Sequence, residues 1–254
     1  MGSGADRRPH ARMKILLISD IHSNIQALAA VLTAEADADA VYCAGDLVDY
    51  GPFPREVIDL VRERNIPCVS GNHDERVVAF ARSREAWVDM RPQDRHWVHQ
   101  NVEALDAGDI AFLDALPESL EFIADGHYYH MRHRGAEGYE LIQLLPEFEA
   151  HWSAGQSPDR THEQTARVII GHTHIQAVHY LADDRLWVNP GSVSYRPTRQ
   201  DLDVSRDAEY MTVVDGEIRF HRLSYDRRKT YLFTRNLPLV DSEKRVGQRL
   251  FGGT

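Results

Sequence analysis

"KILLISDIHSNIQALAAVLTAEADADAVYCAGDLVDYG", residues 14–51, decides the fold. "KILLIS" is a short apolar run that ends in polar residues, "NIQALAAVLTAEA" repeats apolar residues at helical spacing, and "ADAVYCAGD" is a second apolar run. That order reads as strand, loop, helix, strand. "PREVIDLVRERN" then repeats the helical period behind a proline, and "IPCVSGNHD" predicts a third strand ending in a glycine turn. Strands alternating with helices predict parallel pairing with right-handed crossovers. In such a sheet the strand C-termini share the edge where ligands gather. All three runs end in acids, histidines or asparagine.

Further along, residues 76–116 predict mostly helix, with "WVHQNVEALDAGDIAFLDALP" as one amphipathic stretch stopped by Pro117. This segment is expected to form a helical insertion or cap beside the site. From Ser119 the texture changes to short β-rich runs: "LEFIAD", "HYYHMRH", "ARVIIGHTH", "AVHYLADDRLWVN", "GSVSY" and "EYMTVVDGEIRFHRLSY". The Asp125-Gly126 and Asp215-Gly216 pairs between alternating segments are hairpin signals. The second half therefore supplies an antiparallel or mixed sheet packed against the first.

The boundaries follow. Residues 1–12 carry charge without an apolar run and read as a leader or disordered arm; residues 13–225 form the domain. Residues 226–254 have weak periodicity, which leaves an ordered arm, a partner-binding tail and disorder all open. A chain of 254 residues, 43% hydrophobic, suits one large α/β domain. No run approaches the roughly 20 apolar residues that cross a bilayer, so the expectation is a soluble, non-secreted, cytoplasmic protein with no membrane partner. Cys43 and Cys68 lie in or beside apolar runs and read as small core hydrophobes. The net charge of −10, with both signs interspersed, offers no polycationic face, so no stable nucleic-acid complex is expected. A homo-oligomer is left open.

Each strand end carries chemistry. In "SDIH", Asp20 and His22 are two apart and project to one face if the strand continues, so they can share a cation. In "GDLVDYG", Asp46 follows a strand and a glycine, where a turn-capping aspartate is the ordinary reading. "GNHD" adds Asn72 and His73, and "GHTH" adds His172 and His174 with the same two-residue spacing. Paired histidines at a strand end favour a metal.

Taken together, the order D-x-H, G-D-x-x-D-x-G, G-N-H-D and G-H-x-H resembles the calcineurin-like metallophosphoesterase superfamily from about Met13 to Tyr225. The resemblance implies an α/β fold, a four-layer αββα sandwich of two mixed β-sheets flanked by helices, with a binuclear metal centre at the sheet edge. It implies that Asp20, His22 and His174 hold one metal, that Asn72, His172 and a further histidine hold the other, and that Asp46 bridges them. Oxygen and nitrogen donors without thiolate suit Mn²⁺, Fe, Zn²⁺, Co²⁺ or Ni²⁺. Mn²⁺ is the expectation by analogy. Two such ions neutralise phosphate oxygens and acidify a shared water, which can attack phosphorus in line. His73 matches the family's histidine that does not ligate and instead protonates the leaving oxygen, and Asp49 matches the carboxylate orienting it.

The further histidine falls in "HYYHMRHRG", residues 127–135. Strand parity puts His127 and His133 on one face and His130 on the other. At about 3.3 Å per residue, His127 lies roughly 20 Å and His130 roughly 10 Å before His133, so one of them reaches a site at the strand end. The family's hairpin strand ends in His-Gly, which selects His133, with His130 as the alternative. Here Arg134 intervenes before Gly135.

Phosphoprotein phosphatases and symmetrical dinucleoside tetraphosphatases resemble one another in G-D-x-V-D-R-G, but this chain has Tyr50 in place of that arginine. Arg132, Arg134 or Arg196 remain as sources of charge. "GDLVDYGPFPREVIDLV" and "VNPGSVSYRP" look more like the compact bacterial and archaeal phosphodiesterase branch. Tyr50, Arg134 and Ser192 are the candidate substrate contacts, and Tyr50, Phe53 and Tyr195 are candidates for stacking a base. For Asn189 to Ser192 a turn that orders the "GHTH" strand is an equal reading. The expected activity is hydrolysis of a small phosphodiester, a nucleotide among the candidates, with a phosphomonoester or a dinucleoside polyphosphate as the alternative. An inactive protein-binding scaffold is a remote second class, and a metallo-β-lactamase-type site would need H-x-H-x-D-H, which "HTHIQA" lacks.

Overall fold

The computed structural model describes residues 13–135, 145–154, 165–182, 185–196 and 205–252. Its elements run β1 (Lys14–Ile18), α1 (Ile25–Ala34), β2 (Ala40–Cys43), α2 (Pro54–Glu63), α3 (Asn72–Arg82), α4 (Trp97–Ala104), α5 (Ala107–Asp114), β3 (Ser119–Ala124) and β4 (His127–Arg132). Then follow α6 (Leu145–Ala154), β5 (Thr165–Ile170), β6 (Ala177–Ala182), β7 (Arg185–Asn189), β8 (Ala208–Val214), β9 (Glu217–Leu223), α7 (Arg228–Asn236) and α8 (Asp241–Phe251).

Alternation along β1 shows the layers. Leu16 and Ile18 join Leu28, Val57, Val77 and Val98 from the helices, whereas Ile15 and Leu17 join Met131, Ile169, Val188 and Met211 between two sheets. Strand β5 repeats the pattern on the far side, where Val168 and Ile170 pack with Phe148 of α6 and with Trp187. A strand buried on both faces has no polar face to show, which is why these segments read as continuous apolar runs. The layers are helices, a four-stranded sheet ordered β2-β1-β8-β9, a five-stranded sheet ordered β3-β4-β5-β7-β6, and α6. Both sheets are mixed: β1 pairs parallel with β2 and antiparallel with β8, and β4 pairs antiparallel with β3 and parallel with β5. The four-layer sandwich expected from the sequence is the fold observed.

The two Asp-Gly pairs form the β3–β4 and β8–β9 hairpins. Asp125 and Gly126 have φ of 46° and 80°, and Asp215 and Gly216 have 50° and 80°, the paired left-handed residues of a type I′ turn.

Three expectations change, and the segment left open after Tyr225 takes a definite form. The third strand shrinks to one parallel bridge between Cys43 and Cys68, because Pro67 has no N–H to give and helix α3 begins at Asn72. The stretch from Trp97 to Pro117 is two helices, since the Asp106 carboxylate accepts from the Gly108 and Asp109 backbones and starts α5. "GSVSY" is not a strand; Arg196 makes an isolated bridge with Ser205 just after it. Residues 226–252 hold α7 and α8; Leu237 and Leu239 between the helices and Leu250 and Phe251 of α8 are buried. The segment 1–12 lies outside the described residues.

Candidate metal centre

Five chain segments meet at one edge of the two sheets: the ends of β1, β2, β4 and β5, and the N-terminus of α3. The backbone there is bent hard. Asp20, His22, Asp46, Asp49, Tyr50, His172 and His174 all have φ between 48° and 72°, the left-handed region that L-residues seldom occupy. Such strain gathers at functional sites because the surrounding structure must hold it. Glycines make the approach possible. A Cβ on Gly71 would lie 2.1 Å from Asp46 Oδ1, and Gly45, at φ 90°, would carry one 2.9 Å from His133 Nδ1.

Three histidines have their tautomers set by backbone carbonyls, which can only accept. His22 Nδ1 lies 3.2 Å from Asp49 O, His133 Nδ1 lies 2.7 Å from Ala44 O, and His174 Nδ1 lies 3.0 Å from Tyr195 O. Each Nδ1 therefore carries the proton and each Nε2 presents a lone pair. Those lone pairs converge on other acceptors. His22 Nε2 and His174 Nε2 are 3.1 Å apart, and His174 Nε2 is 3.2 Å from Asp20 Oδ1. His133 Nε2 is 3.0 Å from Asn72 Oδ1, 3.2 Å from His172 Nδ1 and 3.2 Å from Asp46 Oδ2. Asp20 Oδ1 has no hydrogen-bond donor although it is fully buried. Lone pairs facing lone pairs and carboxylates repel unless a cation stands among them. The donor set fits metal ions.

Three overlapping groups emerge: Asp20 with His22 and His174, Asp46 with His133 and His172, and His22 and Asp46 with His73. Asn72 adjoins the second, and Asp46 Oδ2 lies 3.9 Å from His22 Nε2, which puts Asp46 between the first two groups. The electrostatics agree. Burial alone would raise Asp20 and Asp46, yet the facing histidines hold both carboxyls below their usual range. Burial and His174 push His22 down to about 3. Burial also opposes the charge on His133, but Asp46 outweighs it and lifts His133 to about 10. With protons as the only cations, one would settle on His133, so protons compete with metal there.

His73 is within reach of His22 and Asp46 but, unlike the other histidines, is held by a carboxylate. Its Nδ1 is 2.8 Å from Asp49 Oδ2, and its backbone N–H donates to Asp46 Oδ1 at 2.8 Å. Burial lowers its proton affinity, the Asp49 bond raises it, and the net shift is upward. Asp49 is fully buried and its N–H donates to Asn101 Oδ1 at 3.0 Å.

The remaining candidates divide. Tyr50 lies with its ring centroid 4.5 Å from that of His73 and 5.5 Å from that of His22, and Tyr195 lies 4.5 Å from His174. Leu250 and Phe251 of α8 pack under both tyrosines. Phe53 instead packs on Phe233 of α7, at 5.1 Å. Arg134 is exposed and donates to Glu75 Oε2 at 3.1 Å, beside a cleft of about 320 Å³ that His133 also lines. Ser192 is a correction: its hydroxyl donates to Asp20 O at 2.8 Å and accepts from the N–H groups of Ser194 and Tyr195, which uses its full capacity inside the fold. Asn189 likewise donates to Gly171 O at 2.7 Å and orders the "GHTH" turn. Of the other two histidines, His127 faces Asp125 and Arg167 at the far end of β4, and His130 is buried near Trp152.

Three residues went unnoticed in the sequence. Asp74 accepts from the N–H groups of Asp46, Leu47, Val48 and Gly71, folding the β2 loop onto α3. Its place three residues after Gly71 is the capping-box spacing, which was a legible signal. Asn101 also accepts from Ser23 Oγ and donates to Gly51 O, and nothing in its neighbours announces that role. Arg76 reaches Asp49 Oδ2 at 3.4 Å from one turn beyond His73.

The chain belongs to the calcineurin-like phosphoesterase superfamily, whose domain model matches residues 13–207. It is 28% identical over 260 residues to an uncharacterized protein of Methanocaldococcus jannaschii, covering 94% of this chain and 98% of that one. The crystal structure of a metallophosphoesterase from Sphaerobacter thermophilus superposes with a TM-score of 0.69 at 25% identity, covering 95% of this chain and 99% of the other. A hypothetical protein from Pyrococcus horikoshii superposes with a TM-score of 0.74 at 16% identity over the same shares of the two chains, a likeness of fold. Among the described residues no helix is long and apolar enough to cross a membrane.

Proposed function

We propose that this protein is a binuclear-metal-dependent phosphoesterase acting on a small phosphodiester. The observation that carries the reading is the convergence of the His22, His133 and His174 lone pairs on Asp20, Asp46 and Asn72. Asp20, His22 and His174 would hold one divalent ion, Asn72, His133 and His172 the other, with Asp46 shared. Oxygen and nitrogen donors without thiolate suit Mn²⁺, Fe, Zn²⁺, Co²⁺ or Ni²⁺, and analogy with the family selects Mn²⁺ among them. When bound, the ions supply Lewis acidity for the phosphoryl oxygens and lower the pKa of water.

The chain's own residues supply the rest. The carbonyls of Ala44, Asp49 and Tyr195 keep three imidazoles in the ligating tautomer. Asp49 holds His73 by Nδ1, leaving Nε2 to give a proton to the leaving oxygen. Tyr50 and Tyr195 flank the imidazoles with apolar surface, which suits the organic part of an ester. A phosphomonoester or a dinucleoside polyphosphate is the alternative substrate.

The test is a panel of bis-aryl and mono-aryl phosphates, cyclic nucleotides and dinucleoside polyphosphates, assayed after chelation and refilling with each metal. Hydrolysis of bis-aryl phosphate that chelation abolishes and Mn²⁺ restores is expected. A preference for monoesters would overturn the diester assignment, and no turnover with any metal would overturn the catalytic reading.

A further inference from the structure

Arginines near the site differ in what neutralises them. Arg132 pairs with Glu118 and Arg134 with Glu75 at 3.1 Å, whereas Arg196 lies 3.6 Å from a Glu209 oxygen that Arg222 already binds at 2.9 Å. Among the described residues Arg76 has no carboxylate to itself. Its one ionic neighbour is Asp49 Oδ2 at 3.4 Å, the same oxygen that binds His73 at 2.8 Å. Charge-assisted N–H···O bonds close to about 2.7–2.9 Å, so the Arg76 contact is a loose second claim on an oxygen already engaged. The side chain is 39% exposed and so reachable from solvent.

Position gives this guanidinium meaning. Helix α3 begins with Asn72 and His73 at the metal-ligand cluster and runs outward, so Arg76, three residues on, lies on the same face one turn further out. The order from the cluster is Asn72, His73, Arg76. Through the shared Asp49 oxygen the guanidinium neighbours the imidazole that a leaving group would meet. An alkyl or aryl alcohol leaving there has no use for a guanidinium, whereas a phosphate does, because the fork geometry binds two oxygens at once.

We propose that Arg76 binds a second phosphate on the leaving group, so that the bond cleaved is a phosphoanhydride within a nucleotide-type substrate; this rests on the metal-dependent phosphoesterase reading and, within it, takes the dinucleoside polyphosphate alternative over the simple diester. The scissile phosphorus then carries two substituents, as in a diester, and one of them is a phosphate. Hydrolysis consumes one water. A P–O bond forms to the water oxygen, the bridging P–O bond breaks, and its electron pair leaves with the second phosphate. That phosphate takes a proton from His73 Nε2, and the attacking water loses its proton to solvent. Arg76 holds the departing anion and takes no part in proton transfer.

The experiment compares Arg76→Ala and Arg76→Lys with the wild-type, full-length protein. In Mn²⁺-loaded enzyme, Arg76→Ala should lower kcat/KM for a dinucleoside polyphosphate about 10- to 100-fold more than for bis(p-nitrophenyl) phosphate, mainly through KM, as expected for a lost hydrogen bond to a charged group. Arg76→Lys should recover part of the difference. By calorimetry at fixed free Mn²⁺, the same Ala variant should weaken inorganic pyrophosphate more than tenfold relative to its effect on inorganic phosphate. Equal losses for both substrates, or equal weakening of both anions, would overturn the assignment and leave Arg76 as a support for Asp49. Failure of wild-type enzyme to turn over either substrate would instead count against the phosphoesterase reading, and the binding comparison would still decide Arg76.

Discussion

Asp49 holds His73 by one oxygen, with 2.8 Å between Oδ2 and Nδ1, and it does so from a fully buried position pinned by Asn101. The pair sets both the tautomer of the imidazole and its affinity for a proton. Burial works against the charged imidazole and Asp49 works for it, with an upward net shift. If protonated His73 is the acid, activity is present below its pKa and lost as pH rises through it.

Replacing Asp49 by Asn should therefore move the alkaline limb of kcat/KM against pH to lower pH, since the neutral amide no longer favours the imidazolium. A pH series on wild type and variant measures the displacement. An unmoved limb would detach His73 from the acid role.

His73→Ala should lower kcat by roughly 10²–10⁴ while both metals stay bound. Metal analysis alongside steady-state kinetics checks it. Loss of a metal would place His73 among the ligands, a result made conceivable by its being within metal-ligand reach of His22 and Asp46.

The histidines of "HYYHMRHRG" provide a paired test. His133→Ala should release the metal of the second group, because His133 Nε2 faces Asn72 and Asp46. His130→Ala, at a buried position near Trp152, should cost about 1–3 kcal/mol of stability with metal content unchanged. Metal analysis and thermal melts read both. The reverse pattern would mean that the histidine assigned from the strand end is the wrong one.

The C-terminal helices reach the site through packing. Phe251, 1% exposed, underlies Tyr50 and Tyr195. Phe251→Ala should free α8 locally, raising amide exchange across 241–251 toward the unprotected rate while β1 and β5 keep their protection. KM should rise with metal content intact. Uniform loss of protection would show instead that α8 stabilises the whole fold.

Much of this architecture was readable in advance because it depends on local pattern. The β1–α1–β2 unit, the two Asp-Gly hairpins and the strand-end motifs each lie within a few dozen residues and carry their own period or turn chemistry. What escaped depends on distant partners. Asn101 acts on Asp49 from 52 positions away, and Leu250 and Phe251 pack against Tyr50 and Tyr195 from distant parts of the chain. Arg76 carried no signal of its own, because its place one turn from His73 depends on α3 starting at Asn72. The split of residues 97–117 turned on a single capping aspartate, Asp106, inside a stretch whose apolar period ran straight through it. Ser192, read as a substrate contact, proved saturated because loop proximity does not reveal which partners a hydroxyl has already taken.

Anomalous diffraction from crystals grown with Mn²⁺ addresses the central claim most directly. Two anomalous peaks per chain are expected, one among Asp20, His22 and His174 and one among Asn72, His133 and His172, with Asp46 touching both. A single peak, or a second peak whose ligands leave out His133, would contradict the account.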